Sequence, residues 1–215
     1  MSNLTPSLTW RGRIASLCLA LLLALGIADR AVALPNPLDS VRSFYDTLLT
    51  TMKAGALLGE SGRYARLAPV IDRLFDVPAM ARLAVGLSWE TLSATQQQQV
   101  IVAFAHYITA TYADRFDKYS GEQLQVIGEQ PYGTQVIVQT KIVKVTDEPV
   151  TLNYRMRANR GSWQIADVYL DGTISQLATQ RSEFHSILQR EGVSGLITAL
   201  DRKVDLLTRN AAKSS

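Results

Sequence analysis

Val150-Thr151-Leu152-Asn153-Tyr154-Arg155-Met156-Arg157 alternates apolar and polar side chains without a break. Period two is the mark of a strand with one face buried and one face wet. Its neighbours read the same way. Gln123–Ile127 forms one candidate strand and Val136, Val138, Thr140 and Ile142 mark a second. Trp163 and Ile165 open a fourth that continues to Leu170. Short turns at Pro131-Tyr132-Gly133, Asp147-Glu148-Pro149 and Asn159-Arg160-Gly161 separate them, so consecutive strands build an antiparallel meander with one apolar face that needs cover.

The cover lies on both sides of the strands in sequence. Asn36 can cap a helix with Pro37 at its first position, followed by Leu38, Val41, Phe44, Tyr45, Leu48, Leu49 and Met52 at helical spacing. Gly55, Gly59 and Gly62 loosen the next segment. A second stripe (Tyr64, Leu67, Ile71, Leu74, Phe75) should kink or restart near Pro69. A short third helix fits Pro78–Val85, stopped by Gly86. Ser93-Ala94-Thr95-Gln96 is a capping box, and the apolar face of the helix it starts runs Val100, Phe104, Ile108, Thr111, Tyr112, Phe116, Tyr119. After the strands, Ile174, Leu177, Phe184 and Leu188 form a further stripe that Gly192 ends, and Val193–Leu207 forms a last helix. The expected fold is α+β: a helical part over 34–120, a curved antiparallel sheet over 121–172 and C-terminal helices over 173–210, packed as one compact unit. A curved sheet closed by helices makes a cone, and a cone can hold a ligand.

The N-terminus reads as an export signal. Arg11 and Arg13 precede the uncharged run Ile14–Ile27, and Ala31-Val32-Ala33 supplies small residues for cleavage after Ala33. The alternative, an uncleaved anchor, is short of the ~20 apolar residues a bilayer requires. Removing residues 1–33 from the 215 leaves 182 residues, enough for a real core. Cys18, the only cysteine, leaves with the signal, so the remainder has no disulfide, thiol nucleophile or cysteine metal ligand. The +3 charge of the whole chain falls to +1 once Arg11, Arg13, Arg30 and Asp29 are gone, and no basic stripe points to nucleic acid.

Catalytic signatures are missing: there is no G-x-S-x-G elbow, H-E-x-x-H, P-loop or G-x-G-x-x-G. His106 falls about 200° around its helix from Phe104, and His185 follows Phe184; both read as solvated surface residues rather than as catalytic groups or metal ligands. Asp167 is the one chemically suggestive residue. Strict alternation from Trp163 and Ile165 aims it at the apolar face, where a carboxylate could serve as a general base. The competing reading pairs it with an arginine such as Arg181, or turns it outward at a bulge. The aromatic residues Phe104, Tyr107, Tyr112, Phe116, Tyr154 and Trp163 fit either a pocket lining or an ordinary packed core.

Phe75-Asp76, Met80-Ala81, Gly86 and Trp89 stand as F-D-x-x-x-M-A-x-x-x-x-G-x-x-W. Leu92-Ser93, Gln97, Phe104 and Tyr112 come next, and later Trp163–Val168, Gly172, Ser175, Arg181 and Phe184. In this order they resemble the MlaC family of periplasmic phospholipid-binding proteins, also called toluene-tolerance auxiliary components. Val136–Val145 and Ser162–Phe184 are similar to its hopanoid-biosynthesis-associated branch, HpnM. The resemblance covers most of residues 38–207. It implies an NTF2-like cone with an added N-terminal helical subdomain and a cavity for acyl chains. It also implies a periplasmic, cofactor-free, non-enzymatic carrier of phospholipid or hopanoid-type lipid, exchanging cargo with an inner-membrane lipid transporter complex and an outer-membrane lipoprotein or porin complex. The lipid-lining residues would be Phe104, Ile108, Tyr112, Phe116, Val136, Val138, Leu152, Tyr154, Met156, Trp163 and Phe184. Two other functions remain open from the residues alone. One is an isomerase or dehydratase on the same cone, with Asp167 as base and a tyrosine as acid. The other is an envelope adaptor that docks through its helical face and holds no lipid.

Overall fold

A computed structural model describes residues 36–159 and 161–213; the expected signal segment and its cleavage point lie outside the described residues. Capping opens the first helix. The Asn36 side chain accepts from the Leu38 amide, 2.9 Å away, at the start of α1 (Pro37–Lys53). Next come α2 (Gly55–Leu74), α3 (Val77–Val85), a 3₁₀ segment (Gly86–Thr91) and α4 (Ala94–Arg115). Strands β1 (Gln123–Tyr132), β2 (Gln135–Val143), β3 (Val150–Asn159), β4 (Ser162–Leu170) and β5 (Ile174–Ser175) succeed them, and α5 (Gln176–Lys213) closes the chain. The sheet is antiparallel throughout, in the order β1-β2-β3-β4-β5. Two bulges bend it, one at Ile127 in β1 and one at Ala166 in β4. Helices and strands share one apolar core, so α1–α4 do not form a separate body.

The capping box at Ser93 is fully made: its hydroxyl accepts from the Gln96 amide at 3.2 Å and the Gln96 side chain accepts from the Ser93 amide at 2.9 Å. Ser93→Ala is expected to cost about 1 kcal/mol, a fall of about 2–4 °C in Tm for a chain of this size, measurable by thermal unfolding.

Three sequence expectations need correction. The break in the second helix falls at Gly59, with φ 59°, and not near Pro69. Glycine takes a positive φ without a side-chain clash, whereas Pro69 sits on an exposed face where one lost amide hydrogen bond is tolerated. The long helical face does not reach Tyr119: α4 stops at Arg115, and Tyr119 lies half in solvent beneath the Lys53 ammonium, 5.1 Å from the ring centroid. Ile174 is not on a helical stripe; a turn closed by the Thr173 amide on the Leu170 carbonyl brings it back to pair with β4, half exposed. Asp167, for which the sequence left two readings, is described with the site. At Gly192 the expected end appears as a break within α5, with φ 65°.

Candidate functional site

The period-two residues of β2 and β3 put Val136, Val138 and Thr140 on the same sheet face as Leu152, Tyr154 and Met156. α1, α2 and α4 supply the opposing side chains. Val138, Tyr154, Met156 and Phe104 are fully buried, Phe184, Ile108 and Phe116 nearly so. Val136, Leu152, Tyr112 and Trp163 are half-buried and pack against them. All eleven expected lining residues therefore belong to one continuous apolar interior.

Within it the rings form two groups. Phe44 packs edge-on against Phe75, Tyr112 and Tyr154 at centroid distances of 5.7, 5.3 and 6.3 Å, and Phe116 stacks on Tyr112 at 5.7 Å. Phe104 and Phe184 meet 5.5 Å apart where α4 packs on α5, with Tyr107 beside them. The interior is held ring against ring, as expected for side chains that maximise dispersion contacts. Phe44, Tyr45, Phe75 and Thr140 belong to this interior but were not among the expected lining residues. They stand in the same stripes and the same alternating strand, which was the available signal.

One part of this interior is polar. The Tyr45 hydroxyl on α1 lies 2.5 Å from the Thr140 hydroxyl on β2, and Thr140 donates to the Leu152 carbonyl. The Tyr154 hydroxyl is buried beside those of Tyr45 and Tyr112, whose oxygens are the acceptors next to it. Burial pushes the pKa of Tyr45, Tyr112 and Tyr154 up, so all three phenols stay neutral at physiological pH.

Asp167 does not face this interior. Arg155 pairs with Asp167 and Met156 with Ile165, so Ala166 is an extra residue that rotates Asp167 to the opposite face of the sheet. There the carboxylate is 3% exposed and accepts from Ser175 Oγ at 2.7 Å and from the Val168 and Leu177 amides at 2.8 and 3.2 Å. Its arginine is Arg155, 3.7 Å away, rather than Arg181. A carboxylate with its lone pairs so engaged, and turned from the tyrosines, is not placed to share a substrate with them. His106 and His185 are exposed, as expected. Among the described residues no cluster of His, Cys, Asp or Glu could hold a metal, and no helix is long and apolar enough to cross a membrane.

The F-D…M-A…G…W motif has a structural explanation. Asp76 caps α3 through the Ala79 amide at 3.2 Å, binds Arg157 Nε at 2.6 Å and accepts from the Asn159 side chain at 3.3 Å. The Asp76 amide reaches the Ile165 carbonyl at 2.9 Å. Ala81 is fully buried, and the Trp89 carbonyl accepts from Gln97 Nε2 at 3.1 Å. The motif thus latches α3 to one end of β3 and β4. Above it lies a surface groove of about 670 Å³, with Phe75 and Trp89 among its apolar walls and Arg82, Asp76 and Arg157 among its polar ones.

Comparison with known proteins adds the lineage. The family model described as MlaC protein matches residues 42–202. The intermembrane phospholipid transport system binding protein MlaC of Haemophilus influenzae is 22% identical over 184 residues, which span 82% of this chain and 86% of that protein. A phospholipid-binding protein from Ralstonia solanacearum, solved in complex with a phospholipid, superposes with a TM-score of 0.68 at 23% identity, covering 80% of this chain and 99% of that one. With three-quarters of its length matched by the family model, the chain belongs to the MlaC protein family.

Proposed function

We propose that residues 1–33 direct export, with cleavage after Ala33, and that the remaining chain is a non-enzymatic periplasmic carrier for phospholipid. In this reading sheet and helices part to admit acyl chains along the interior bounded by Phe104, Tyr112, Val138, Leu152, Tyr154 and Met156. Family membership, together with the names of the two relatives, supports the cargo class. The convergence of the eleven apolar residues on one interior is the observation that carries it. The hopanoid-type cargo that the HpnM resemblance implies is a finer version of the same function. So is exchange with an inner-membrane transporter and an outer-membrane lipoprotein or porin complex.

The energetics favour a protein cover. Each buried methylene is worth ~0.8 kcal/mol, so a 16-carbon tail contributes roughly 10 kcal/mol before the cost of ordering. Leu152 is half-buried on the interior face of β3, and an aspartate there would put a charge against the hydrocarbon. The protein purified after export is expected to begin at Leu34 and to carry phospholipid in native mass spectrometry. Leu152→Asp is expected to lower the lipid-bound fraction more than tenfold while circular dichroism shows a folded chain. Lipid-free wild-type protein would exclude the carrier, and a folded variant with normal lipid would exclude this strand face.

A further inference from the structure

We propose that α1 is a lid hinged at its C-terminal end. In the empty protein its side chains occupy the place of the acyl chains, and it swings off the sheet when phospholipid enters. The lid rests on the carrier function and names the part of the fold that moves.

α1 lies directly on the interior face of the sheet. Phe44 and Tyr45 both pack edge-on against Tyr154 of β3, at centroid distances of 6.3 and 5.9 Å, and the Tyr45 hydroxyl meets that of Thr140 on β2. Val41, Leu48 and Met52 complete its buried stripe. Side chain meets side chain across this close-packed interior, so hydrocarbon gains room there only when some of them leave.

The other helices are tied in place. The Asp76 amide donates to the Ile165 carbonyl, the Asp76 carboxylate holds Arg157 and Asn159, and Gln164 Nε2 donates to the Arg73 carbonyl at 3.0 Å. These bonds fix the junction of α2 and α3 to β3 and β4. Asp167 fixes the start of α5 to β4 through Ser175 and the Leu177 amide. The buried Arg63 guanidinium joins α2 to α4, donating to the Ala113 carbonyl at 2.9 Å. α1 has nothing comparable. Among the described residues, Tyr45 alone gives it polar contact with the sheet, at the Thr140 and Tyr154 hydroxyls.

The two ends of α1 differ. With cleavage after Ala33, only Leu34, Pro35 and Asn36 precede it, so its N-terminal end has no further chain to drag. Its C-terminal end is pinned. Arg63 also donates to the Gly55 carbonyl at 3.4 Å, and Gly55 lies so near the Asp117 carbonyl that a Cβ would not fit. Ala54, at φ −95° and ψ 4°, is the joint between helix and pin. A helix free at one end, jointed at the other and held by one side chain can rotate as a rigid body, with hydrocarbon replacing the apolar contacts it gives up.

The test combines spin-label distances with loading rates. The chain after Ala33 has no cysteine, so labels go only where cysteines are introduced. One pair, Asp46→Cys with Lys141→Cys, spans exposed positions on α1 and β2; the other, Ser182→Cys with Lys141→Cys, spans α5 and β2. Protein stripped of co-purified lipid is loaded from phosphatidylglycerol vesicles, and native mass spectrometry counts the bound lipid. Loading is expected to lengthen the first distance by about 5 Å, the spacing at which one extended chain lies beside another, and to leave the second unchanged. Tyr45→Phe keeps the ring and removes the polar contacts, so it is expected to load about two- to tenfold faster, the worth of one hydrogen bond. Ser93→Ala, which weakens the cap of α4, is expected to load at the wild-type rate. A first distance unchanged with lipid bound, or a second that lengthens as much, overturns the lid, as does Tyr45→Phe loading no faster than wild type. Should Tyr45→Phe not fold, the two distances decide. Protein that takes up no phosphatidylglycerol overturns the carrier function, and the lid with it.

Discussion

Asp167→Ala is expected to destabilise the protein by about 3–5 kcal/mol, lowering Tm on the order of 10 °C. The carboxylate is buried and serves four groups at once: the Ser175 hydroxyl, the Val168 and Leu177 amides and the Arg155 guanidinium. Ser175 is itself the cap of α5, accepting from the Ala178 amide at 2.9 Å, so removal of Asp167 also loosens the start of that helix. Arg155 would be left with no anion, and its Nε already has no partner among the described residues. Asp167→Asn keeps one acceptor oxygen and should cost about half as much. Chemical denaturation of the two variants beside wild type measures both. A melting temperature for the alanine variant within about 2 °C of wild type, the shift a surface substitution could give, would show that Asp167 is not the structural group its contacts describe, and would reopen the catalytic role.

That residue also marks the limit of what could be read from the sequence. Nothing inside Trp163–Leu170 signals a bulge, because a bulge is a property of how two strands pair and not of either strand alone. Simple alternation aims Asp167 at the apolar face, and only the pairing of β3 with β4 selects the bulged alternative that turns it outward beside an arginine. Capping is local by contrast, so Asn36 and Ser93 could be read from a few residues each. The alternation of Val150–Arg157 was legible for the same reason: period two maps directly onto two faces of a strand. The choice between Gly59 and Pro69 lay between these cases. Both are breakers, and only the packed fold decides which one absorbs the change of direction. The eleven interior residues emerged as stripes, yet the stripes do not say which ring meets which. The division into a Phe44–Tyr112–Tyr154 group and a Phe104–Phe184 group is set by the relative placement of α1, α4 and α5.

The family motif shows the same division between local and tertiary information. Asp76 caps α3 just ahead of Pro78. Its bonds to Arg157 and Asn159, some eighty residues on, make the cap a link between the helical half and the sheet. The Asp76 link ties α3 to the β3–β4 turn end, and the Asp167 link ties β4 to the start of α5.

Raising the pH through 10 is expected to erode stability steeply, because Tyr45, Tyr112 and Tyr154 stay protonated when folded. Burial raises each folded pKa above the ordinary value of 10.0. The corresponding stabilisation is fully present below pH 10 and is lost as the pH climbs towards the folded-state values, since only the unfolded chain releases the protons. Each tyrosine removes at most about 1.4 kcal/mol per pH unit while only the unfolded chain ionises, so the three together remove at most about 4 kcal/mol per pH unit. Urea midpoints at about pH 9.5 and 11.5, on either side of the ordinary tyrosine value, would measure this slope. Tyr112→Phe and Tyr154→Phe should each remove a large share of it and Tyr45→Phe a smaller one. Comparing variants at both pH values cancels contributions from every other group that titrates in this range. If the three phenylalanine variants fall in parallel with wild type, the phenols ionise in the folded chain, and the interior between sheet and helices is open to water. A slope reduced in the three variants places those hydroxyls in a dry interior, where burial holds the phenols protonated.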